Sequence, residues 1–333
     1  MRVLFIGGTG TISEAVSKLA MEKGMELYLL NRGKRNELMP EGAKLITGDI
    51  RKPQEVAAAI KDLYFDTVVD WIAFTPDHVA ADLELFRDKT GQYVFISSAS
   101  AYQKPSSHYL VSESTPLANP FWQYSRDKIA CEENLINEYR NTGFPVTIIR
   151  PSLTYGNTMI PASLNSWTQP WSLVARMKKG KKIIVQGDGS SFWTITHNTD
   201  FAKGITGLFG NTGAIGHAFN ITSDEVLTWN QIYEAIGRAA GVRPDIIHIP
   251  SDFIIHMSPA HYGDLLGDKS VGCIFDNSKI KRFVPGFAAT VPFEQGVKKS
   301  VKWFEAHPER CTVDTVWDEL MDRIVEKYSS IFD

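Results

Sequence analysis

Short apolar runs alternate with stretches of helical periodicity over the first half of the chain. The run Arg2–Ile6 meets glycines at once and predicts a buried strand. Apolar positions from Ile12 to Ala20 then recur at helical spacing, and Gly24 is placed to end that helix. The alternation continues with strands predicted at Glu26–Leu30, Thr67–Asp70, Gln92–Ser97 and Val146–Arg150 and helices at Val79–Phe86 and Tyr124–Tyr139. Strands alternating with helices are typical of an α/β fold with a doubly wound parallel sheet.

The texture of the sequence changes after Pro151, where prolines, tryptophans and short segments replace the regular alternation. We therefore predict a first domain over residues 1–152, completed by a return of the chain at about 200–225. The remaining stretches, 153–199 and 226–333, are predicted to form a smaller C-terminal lobe. Its last segment, from Val313 to Tyr328, carries one apolar helical stripe. We expect this helix to pack on its own domain, with a partner subunit as the alternative.

A glycine-rich turn connects the first predicted strand to the first helix, in the sequence Gly7, Gly8, Thr9, Gly10, Thr11, Ile12 and Ser13. A tight turn at Gly7 and the absence of a side chain at Gly10 allow the backbone to approach a pyrophosphate, to which the amides at the helix start donate. An ordinary strand-to-helix turn is the alternative. Because the turn follows the first strand of an alternating chain, we favour dinucleotide binding at residues 7 and 9–12, and hence a Rossmann-type sheet.

The end of the second strand bears on which dinucleotide is bound. An acidic residue there would hold the ribose hydroxyl of NAD, whereas a basic residue accommodates the 2′-phosphate of NADP. Asn31 stands at this place, and three cations follow closely: Arg32, Lys34 and Arg35. This pattern favours NADP slightly over NAD, although a solvated basic loop, or Arg32 stacked on adenine, would suit either cofactor. Asp49 and Ile50 follow the next short strand and are placed to touch the adenine, with a simple turn aspartate as the alternative.

A tyrosine and a lysine stand four residues apart at the start of a predicted helix, in the sequence YSRDK at 124–128. This spacing places Tyr124 and Lys128 on one helical face, where an ammonium beside a phenol would lower the pKa of the phenol. Such a tyrosine exchanges a proton with a carbonyl or carbinol oxygen while a hydride moves to or from a nicotinamide. Upstream, the serine-rich stretch 97–102 follows a predicted strand, at the edge where ligands bind parallel sheets. A serine there could contact the reacting oxygen, unless the stretch is only a loop.

In this order, the motifs resemble the extended short-chain dehydrogenase/reductase family, which includes UDP-galactose 4-epimerase and sugar-nucleotide dehydratases. The resemblance covers almost the whole chain and rests on the glycine turn, FISSASAY at 95–102, YSRDK at 124–128, RPSLTYG at 150–156 and GDG at 187–189. It implies that Ser98, Tyr124 and Lys128 are the catalytic residues, with Tyr124 as acid/base and Lys128 holding the nicotinamide ribose. It further implies that Pro151 borders the nicotinamide and that Ala73 lines the adenosine side.

The sequence departs from the family pattern in three places. Ser13 ends the glycine turn where the family usually has glycine, and Asn31 replaces an acidic residue. Trp193 stands where sugar-nucleotide enzymes commonly carry an arginine that grips the diphosphate. Since tryptophan cannot replace a bidentate phosphate donor, the case for a nucleotide-sugar substrate is weakened. The looser glycine turn is also similar to that of atypical relatives, including chloroplast stem-loop-binding proteins, which bind RNA.

Three further residues are candidate substrate contacts: Ser100, Trp193 and His197. Trp193 would serve equally well as core, and a structural role is favoured for His197. A dense basic run could bind phosphate or RNA, and it comprises Arg176, Lys178, Lys179, Lys181 and Lys182. A solvated helix end is the more frequent meaning of such a run.

Composition narrows the class of protein. The 333 residues are 43% hydrophobic and 22% charged with a net charge of −3, which is ordinary for a globular chain and does not favour coating nucleic acid or a membrane. Three cysteines form no CxxC pair and eight histidines no HExxH motif, so we expect neither disulfides nor a bound metal. The chain reaches Gly7 too soon for a signal peptide and has no run of about 18 apolar residues to span a membrane. A reducing cytoplasm is the expected location.

These observations lead to one function and one alternative. We expect an NAD(P)-dependent epimerase/dehydratase or reductase that transfers hydride to or from a carbinol or ketone of a sugar or sugar nucleotide. The alternative is a protein of the same fold that holds a dinucleotide and acts as an RNA-binding or redox-sensing protein with little catalysis. A small molecule is the expected partner, a homodimer is left open, and neither nucleic acid nor a membrane is expected.

Overall fold

The computed structural model describes residues 1–34 and 36–332, so Arg35, one of the cations considered above, lies outside the described residues. The described strands are β1 (Arg2–Ile6), β2 (Glu26–Asn31), β3 (Lys44–Thr47), β4 (Thr67–Asp70), β5 (Tyr93–Ile96), β6 (Leu110–Val111), β7 (Val146–Pro151), β8 (Leu153–Tyr155), β9 (Lys182–Gln186), β10 (Phe192–Trp193), β11 (Ile195–His197), β12 (Ala218–Ile221), β13 (Leu227–Thr228), β14 (Asp245–Ile249) and β15 (Ile274–Phe275). The described α-helices are α1 (Ser13–Glu22), α2 (Pro53–Ala59), α3 (Pro76–Phe86), α4 (Gln123–Thr142), α5 (Ser172–Lys178), α6 (Asn198–Leu208), α7 (Trp229–Ala239), α8 (Ser251–Met257), α9 (Tyr262–Asp264), α10 (Ser278–Phe283), α11 (Phe293–Ala306) and α12 (Thr315–Ser329). A π-helix spans Leu265–Lys269.

Seven strands form one sheet in the order β12-β7-β5-β4-β1-β2-β3, and every neighbouring pair is parallel. The predicted α/β fold with a doubly wound parallel sheet is confirmed. Strand order reverses between β1 and β4, so the connections leave a crevice at the carboxyl ends of these strands, the usual ligand position in such sheets.

The sheet is buried on both faces because its strands are apolar at successive positions. In β1, Val3 and Phe5 point to one face, where they pack with residues of α1 and α6. Leu4 and Ile6 point to the other face, where they pack with residues of α2, α3 and α4. This continuous apolar character is what parallel strands covered by helices require.

The smaller lobe has its own hydrophobic core, built around Trp229, Trp193, Ile184 and Phe304. Four two-stranded pairs frame it, namely β10-β13, β11-β8, β14-β9 and β15-β6. On α12, the buried residues Trp317, Met321 and Ile324 belong to this core. The C-terminal helix therefore packs on its own lobe.

The two parts of the chain are interleaved rather than consecutive. Helix α6 and strand β12 return to the large sheet, where β12 pairs with the edge strand β7. Ile280 and Phe287, in a stretch that the sequence analysis assigned to the smaller lobe, also pack into the core of the large sheet. No helix in the described part of the chain is long and apolar enough to cross a membrane.

Candidate active site

The chain turns sharply after β1 at two glycines. Gly7 and Gly8 have φ angles of +98° and +102°, where a side chain is strained. A Cβ on Gly8 would in addition lie 2.7 Å from Leu29 Cδ2. Ser13 opens α1, and its hydroxyl accepts a hydrogen bond of 2.9 Å from the Gly10 amide. The serine that departs from the family pattern therefore fixes the turn to the start of the helix.

A cleft of about 1170 Å³ follows the carboxyl edge of the large sheet from this turn to the smaller lobe. We call the end lined by the glycine turn and residues 31–32 and 48–51 the glycine half. The end lined by residues 158–170 together with Trp122, Trp193, Asp268 and Lys269 is the lobe half. The predicted site residues that line the cleft are Gly7, Thr9, Gly10, Thr11, Ile12, Asn31, Arg32, Asp49, Ile50, Ser98, Ser100, Tyr124, Lys128, Pro151 and Trp193.

The glycine half combines cations with an unpaired amide donor. Arg32, Lys34 and Arg51 line it. Asn31 accepts a hydrogen bond of 2.7 Å from the Gly33 amide through Oδ1. Its Nδ2 is buried and has no partner among the described residues, although buried donors are normally paired. An orphaned donor at the end of β2, beside a cleft with three cations, fits the ribose and phosphate groups of a dinucleotide.

Tyr124, Lys128 and Ser98 meet where the two halves join. Helix α4 begins one residue before Tyr124, so the tyrosine and the lysine lie on successive turns. Lys128 is 2% exposed, and its Nζ donates to the carbonyl oxygens of Ala73 at 2.6 Å and Ile96 at 2.8 Å. An ammonium has three N–H donors, and Lys128 also lines the cleft. One donor therefore remains for a ligand, and Ala73, which does not line the cleft, acts through its carbonyl on Lys128.

The ionisation of this pair is governed by burial. Loss of solvent raises the pKa of Tyr124, while the nearby Ser98 hydroxyl lowers it and Asp268 raises it. Burial also lowers the pKa of Lys128, to about 8. The expectation that Lys128 lowers the pKa of Tyr124 is wrong for the protein alone. Nζ lies 5.9 Å from the centre of the phenol ring and is bonded to main-chain carbonyls, so desolvation outweighs its charge.

Serines extend the site along the end of β5. Ser98 and Ser100 hydroxyls are 2.9 Å apart, and Ser125, next to Tyr124 on α4, donates to Ser100 Oγ at 2.8 Å. The hydroxyls thus tie the serine-rich loop to the first turn of the helix. Ser98, being hydrogen-bonded on one side, is held at the cleft wall with Tyr124 nearby.

A buried ionic network joins the elements that carry these residues. Glu132 of α4 and Arg150 of β7 form an ion pair with side chains 3% and 6% exposed. Glu132 also accepts from Ser97. Arg150 donates to the Tyr102 hydroxyl at 3.0 Å, which donates in turn to Asn220 Oδ1 at 2.7 Å. The network links α4, β7 and β12 to the loop after β5, and it fixes α4 against the sheet.

The lobe half is aromatic and carries few charges. Trp122 contacts the Tyr124 ring at 4.9 Å between centroids, and Trp193 is stacked on Trp229 with its indole N–H lacking an acceptor among the described residues. Asp268 and Lys269 are the charged residues that line this half, and their charged groups lie 3.4 Å apart. The segment reaches Trp122 because Gly267 precedes it: a Cβ on Gly267 would lie 2.9 Å from Trp122 Cβ.

His197 has a structural environment. It does not line the cleft and caps α6, with its Nδ1 2.7 Å from Thr199 Oγ1. Its ring packs edge-on against Tyr155, and burial lowers its pKa to about 4. The candidate substrate contact at His197 is therefore separated from the site, because this side chain is used by the fold.

Several cleft residues were not predicted in the sequence analysis. Trp71, Ile72 and Phe74 line the cleft after β4, and the carboxyl end of that strand was a signal that pointed to this place. Asp268 and Lys269 come from the π-helix, where no periodic pattern indicated an element. A π-helix is frequently found at functional sites.

Four of the five residues of the basic run form ion pairs within the protein. Arg176 is 2% exposed and pairs with Asp318 and Asp322 of α12, as does Lys181. The remaining ion pairs are Lys178 with Glu305 and Lys182 with Asp245. The prediction that these side chains are solvated at a helix end is therefore wrong for Arg176, because it is buried against Asp318 and Asp322 of α12. Among the described residues no cluster of three His, Cys, Asp or Glu side chains is arranged to hold a metal.

The fold and the cleft together define a class of protein, an α/β protein with a Rossmann-type sheet and a second lobe over its carboxyl edge. The model of the NAD dependent epimerase/dehydratase family matches residues 3–222, and the chain belongs to this family. The predicted resemblance to epimerases, dehydratases and reductases of the extended short-chain type is confirmed.

The similar proteins include both enzymes and a protein named for stem-loop binding. A 2′-dehydrokanamycin reductase of Streptomyces kanamyceticus is 24% identical over 257 residues, which are 76% of this chain and 70% of that protein. A chloroplast stem-loop binding protein of 41 kDa from Arabidopsis thaliana is 27% identical over 268 residues, 76% of this chain and 67% of that protein. The structure of dTDP-glucose 4,6-dehydratase from Bacillus anthracis in complex with NAD has a TM-score of 0.74 at 21% identity, covering 93% of this chain and 98% of that one. This likeness to the dehydratase shows only that the two chains share a fold.

Proposed function

We propose that this protein is an NAD(P)-dependent enzyme that moves a hydride to or from a carbinol or ketone of a sugar-like substrate, with Tyr124 as its acid/base. The observation that carries the proposal is the meeting of Tyr124, Ser98 and Lys128 at the junction of the two halves of the cleft. A nicotinamide at that junction supplies or accepts the hydride when it is bound.

The chain's own residues handle the proton. Because burial raises the pKa of Tyr124, its phenol keeps the proton at neutral pH and is ready to donate it to a substrate carbonyl oxygen. Ser98, close to the phenol, orients the same oxygen through a hydrogen bond. This state suits the reductive direction, in which the carbonyl oxygen receives a proton as its carbon receives hydride.

Lys128 positions the cofactor and tunes the tyrosine. Two of its N–H donors are fixed by main-chain carbonyls, and the third would hold the nicotinamide ribose. Once a ligand excludes water from the junction, the charge of Lys128 acts on Tyr124 through a medium of low dielectric constant and stabilises the phenolate that remains after proton transfer.

The charges of the cleft favour NADP over NAD. Arg32, Lys34 and Arg51 line the glycine half, and no acidic residue stands at the end of β2 to hold a free ribose 2′-hydroxyl. Asn31 Nδ2 is available to donate a hydrogen bond to an oxygen of the ribose. Removing the guanidinium in Arg32→Ala is expected to weaken NADPH binding about tenfold and to leave NADH binding nearly unchanged.

The substrate is proposed to be a sugar. Related enzymes act on nucleotide sugars by name, including the dTDP-glucose dehydratase described above. In this chain the charged pair Asp268 and Lys269 is the only one lining the described lobe half, and it has no net charge to offset a diphosphate. Trp122 offers aromatic surface instead, so a sugar without a diphosphate is favoured over a nucleotide sugar.

RNA binding remains the second function considered from the sequence. One relative is named for stem-loop binding, but four of the five residues of the basic run form ion pairs with acidic residues of their own lobe. Since phosphate contacts supply most of the affinity for RNA, we do not propose this function.

The cofactor is tested first. The purified protein is denatured, and any released nucleotide is identified by mass spectrometry. Stoichiometric NAD(H) would indicate a cofactor recycled within each turnover, as in an epimerase or dehydratase, and would contradict the NADP assignment. If the protein releases no nucleotide, the binding of NADP(H) to the native protein is measured. Reversible binding of NADP(H) would indicate a net reductase. A protein that binds neither dinucleotide would refute the proposal.

The catalytic assignment is tested with a matched pair of variants. Turnover of keto sugars and nucleotide sugars is measured with NADPH and NADH for the wild type, Tyr124→Phe and Tyr139→Phe. Tyr139 lies on the same helix and is partly exposed, so its variant controls for loss of a phenol from α4. Tyr124→Phe is expected to lose at least about 100-fold in turnover and to keep its cofactor affinity. Wild-type rates in Tyr124→Phe would show that another group carries the proton.

A further inference from the structure

Lys104 and Cys273 form a buried pair that the proposed reaction does not use. Lys104 is 3% exposed and Cys273 1%, and Nζ lies 2.8 Å from Sγ. Among the described residues no carboxylate forms an ion pair with Lys104. Its other close group is the ring face of Trp193, 5.7 Å from Nζ. A buried ammonium without a hydrogen-bond acceptor is costly, and the sulfur of Cys273 is placed to accept a hydrogen bond from Lys104 Nζ.

The sulfur lies close to the surface although it is buried. The hydroxyl of Ser106 is 3.8 Å from Sγ, and Ser106 is only partly buried in a loop whose next residues are exposed. A basic side chain beside a cysteine favours oxidation of its sulfur.

We propose that Lys104 and Cys273 are an oxidation site that closes to a covalent sulfenamide on exposure to a hydroperoxide. The sulfur attacks the peroxide, the O–O bond breaks, and a sulfenic acid and one molecule of water (or of an alcohol) form. The neutral amine of Lys104 then attacks the sulfur. An S–N bond forms, the S–O bond breaks, and the hydroxyl leaves as water with a proton from nitrogen. The Cys–Lys pair has lost two electrons and two hydrogens, and the peroxide has gained the electrons.

The bond would connect two walls of the cleft. Lys104 lies four residues after Ser100, and Cys273 lies four residues after Lys269, and both of these neighbours line the cleft. Closure of the S–N bond therefore joins the serine-rich loop to the segment of the π-helix. A low-molecular-weight thiol reverses the step by attacking sulfur, which releases the amine and restores the thiol through a second exchange.

The chain contains its own controls. Burial raises the pKa of Cys131 to about 12 and also raises that of Cys311. Cys311 donates to the Phe304 carbonyl oxygen, and neither sulfur is hydrogen-bonded to a lysine in the described part of the chain. If the Lys–Cys contact is what matters, Cys131→Ser and Cys311→Ser should behave as the wild type.

The experiment is mass spectrometry of the intact protein before and after peroxide, followed by peptide mapping. The expected result is the loss of two hydrogens, reversed by dithiothreitol, with the peptide of Lys104 joined to that of Cys273. The join should persist in Cys131→Ser and Cys311→Ser and be lost in Cys273→Ser. In Lys104→Arg, which keeps the charge but has a poor nucleophile, Cys273 should gain oxygen atoms instead.

Three results would overturn the inference: oxygen atoms accumulating on wild-type Cys273 without a crosslink, an unchanged mass for the Cys273 peptide, or a crosslink that persists in Lys104→Arg. The wild-type peptide map decides the matter even if a variant fails to fold. Because no substrate or cofactor is used, the outcome is independent of the proposed function.

Discussion

The buried ion pair between Glu132 and Arg150 leads to a quantitative prediction. In Glu132→Gln the side chain keeps its shape and can still accept from Ser97, but the guanidinium of Arg150 is left buried without an anion. Removing one partner of a buried pair typically costs about 3–5 kcal/mol in the free energy of unfolding, and exposures of 3% and 6% place this pair in that class. We therefore expect Glu132→Gln to be destabilised by about 4 kcal/mol.

The reasoning is tested with a double-mutant cycle. Arg150→Met fills similar space without charge, and Tyr102 then keeps its bond to Asn220 Oδ1. In Glu132→Gln/Arg150→Met no charge is left uncompensated, so the double variant should recover about 2 kcal/mol or more relative to the sum of the single effects. The assay is urea denaturation followed by tryptophan fluorescence. A loss below about 1 kcal/mol in Glu132→Gln, or single effects that simply add, would refute the view that the network is desolvated and coupled.

Three further predictions follow from other parts of the structure. The pKa of Lys128 is about 8 in the folded chain against an ordinary 10.5, so the cost of burying its charge is complete below pH 8 and disappears as the pH rises to 10.5. The stability advantage of Lys128→Met over the wild type, measured by denaturation at several pH values, should therefore shrink by about 3 kcal/mol across that window. An advantage that does not change with pH would show that the amine is solvated. Gly8→Ala should lower the melting temperature, because φ is positive there and the new Cβ would lie 2.7 Å from Leu29 Cδ2. In Gly10→Ala the Cβ would meet only Ser13 Oγ at 3.5 Å, so this variant should fold normally and lose dinucleotide affinity in titration calorimetry. Normal affinity in Gly10→Ala would place the pyrophosphate elsewhere. Thr228→Ala removes the capping box of α7 and should cost about 1 kcal/mol in chemical denaturation, while Thr228→Ser should restore most of it.

The sequence was sufficient for the elements that are apolar on both faces or strongly periodic. β1 was predicted with the bounds that the structure has, because its four buried apolar residues, Val3–Ile6, are followed at once by Gly7. Helix α4 was predicted from Tyr124 to Tyr139 and spans Gln123–Thr142, ended by Gly143 with a φ of +78°. Helix α2 was not predicted, since Val56 is its only buried residue and its remaining positions give no periodic signal.

The site was predictable where it follows strand ends and unpredictable where the smaller lobe closes over it. Residues after β1, β2 and β5 could be placed because parallel strands present their carboxyl ends to one edge. Asp268 and Lys269 could not, because a non-local approach of the π-helix to Trp122 brings them to the cleft. The pKa direction at Tyr124 also required the structure, since burial rather than the neighbouring charge decides it.

The interleaved arrangement of the chain has a consequence for synthesis on the ribosome. Residues 1–151 supply six strands of the large sheet, but the seventh, β12, is translated some seventy residues later and covers the open side of β7. Ile280 and Phe287 reach the same core later still. Until these segments emerge, the nascent sheet exposes an unpaired strand and an uncovered apolar face, the conditions under which partly folded chains associate. A gene fragment ended at the apparent boundary after β7 would keep that state permanently, so the nucleotide-binding part of this protein cannot be expected to be produced on its own by simple truncation.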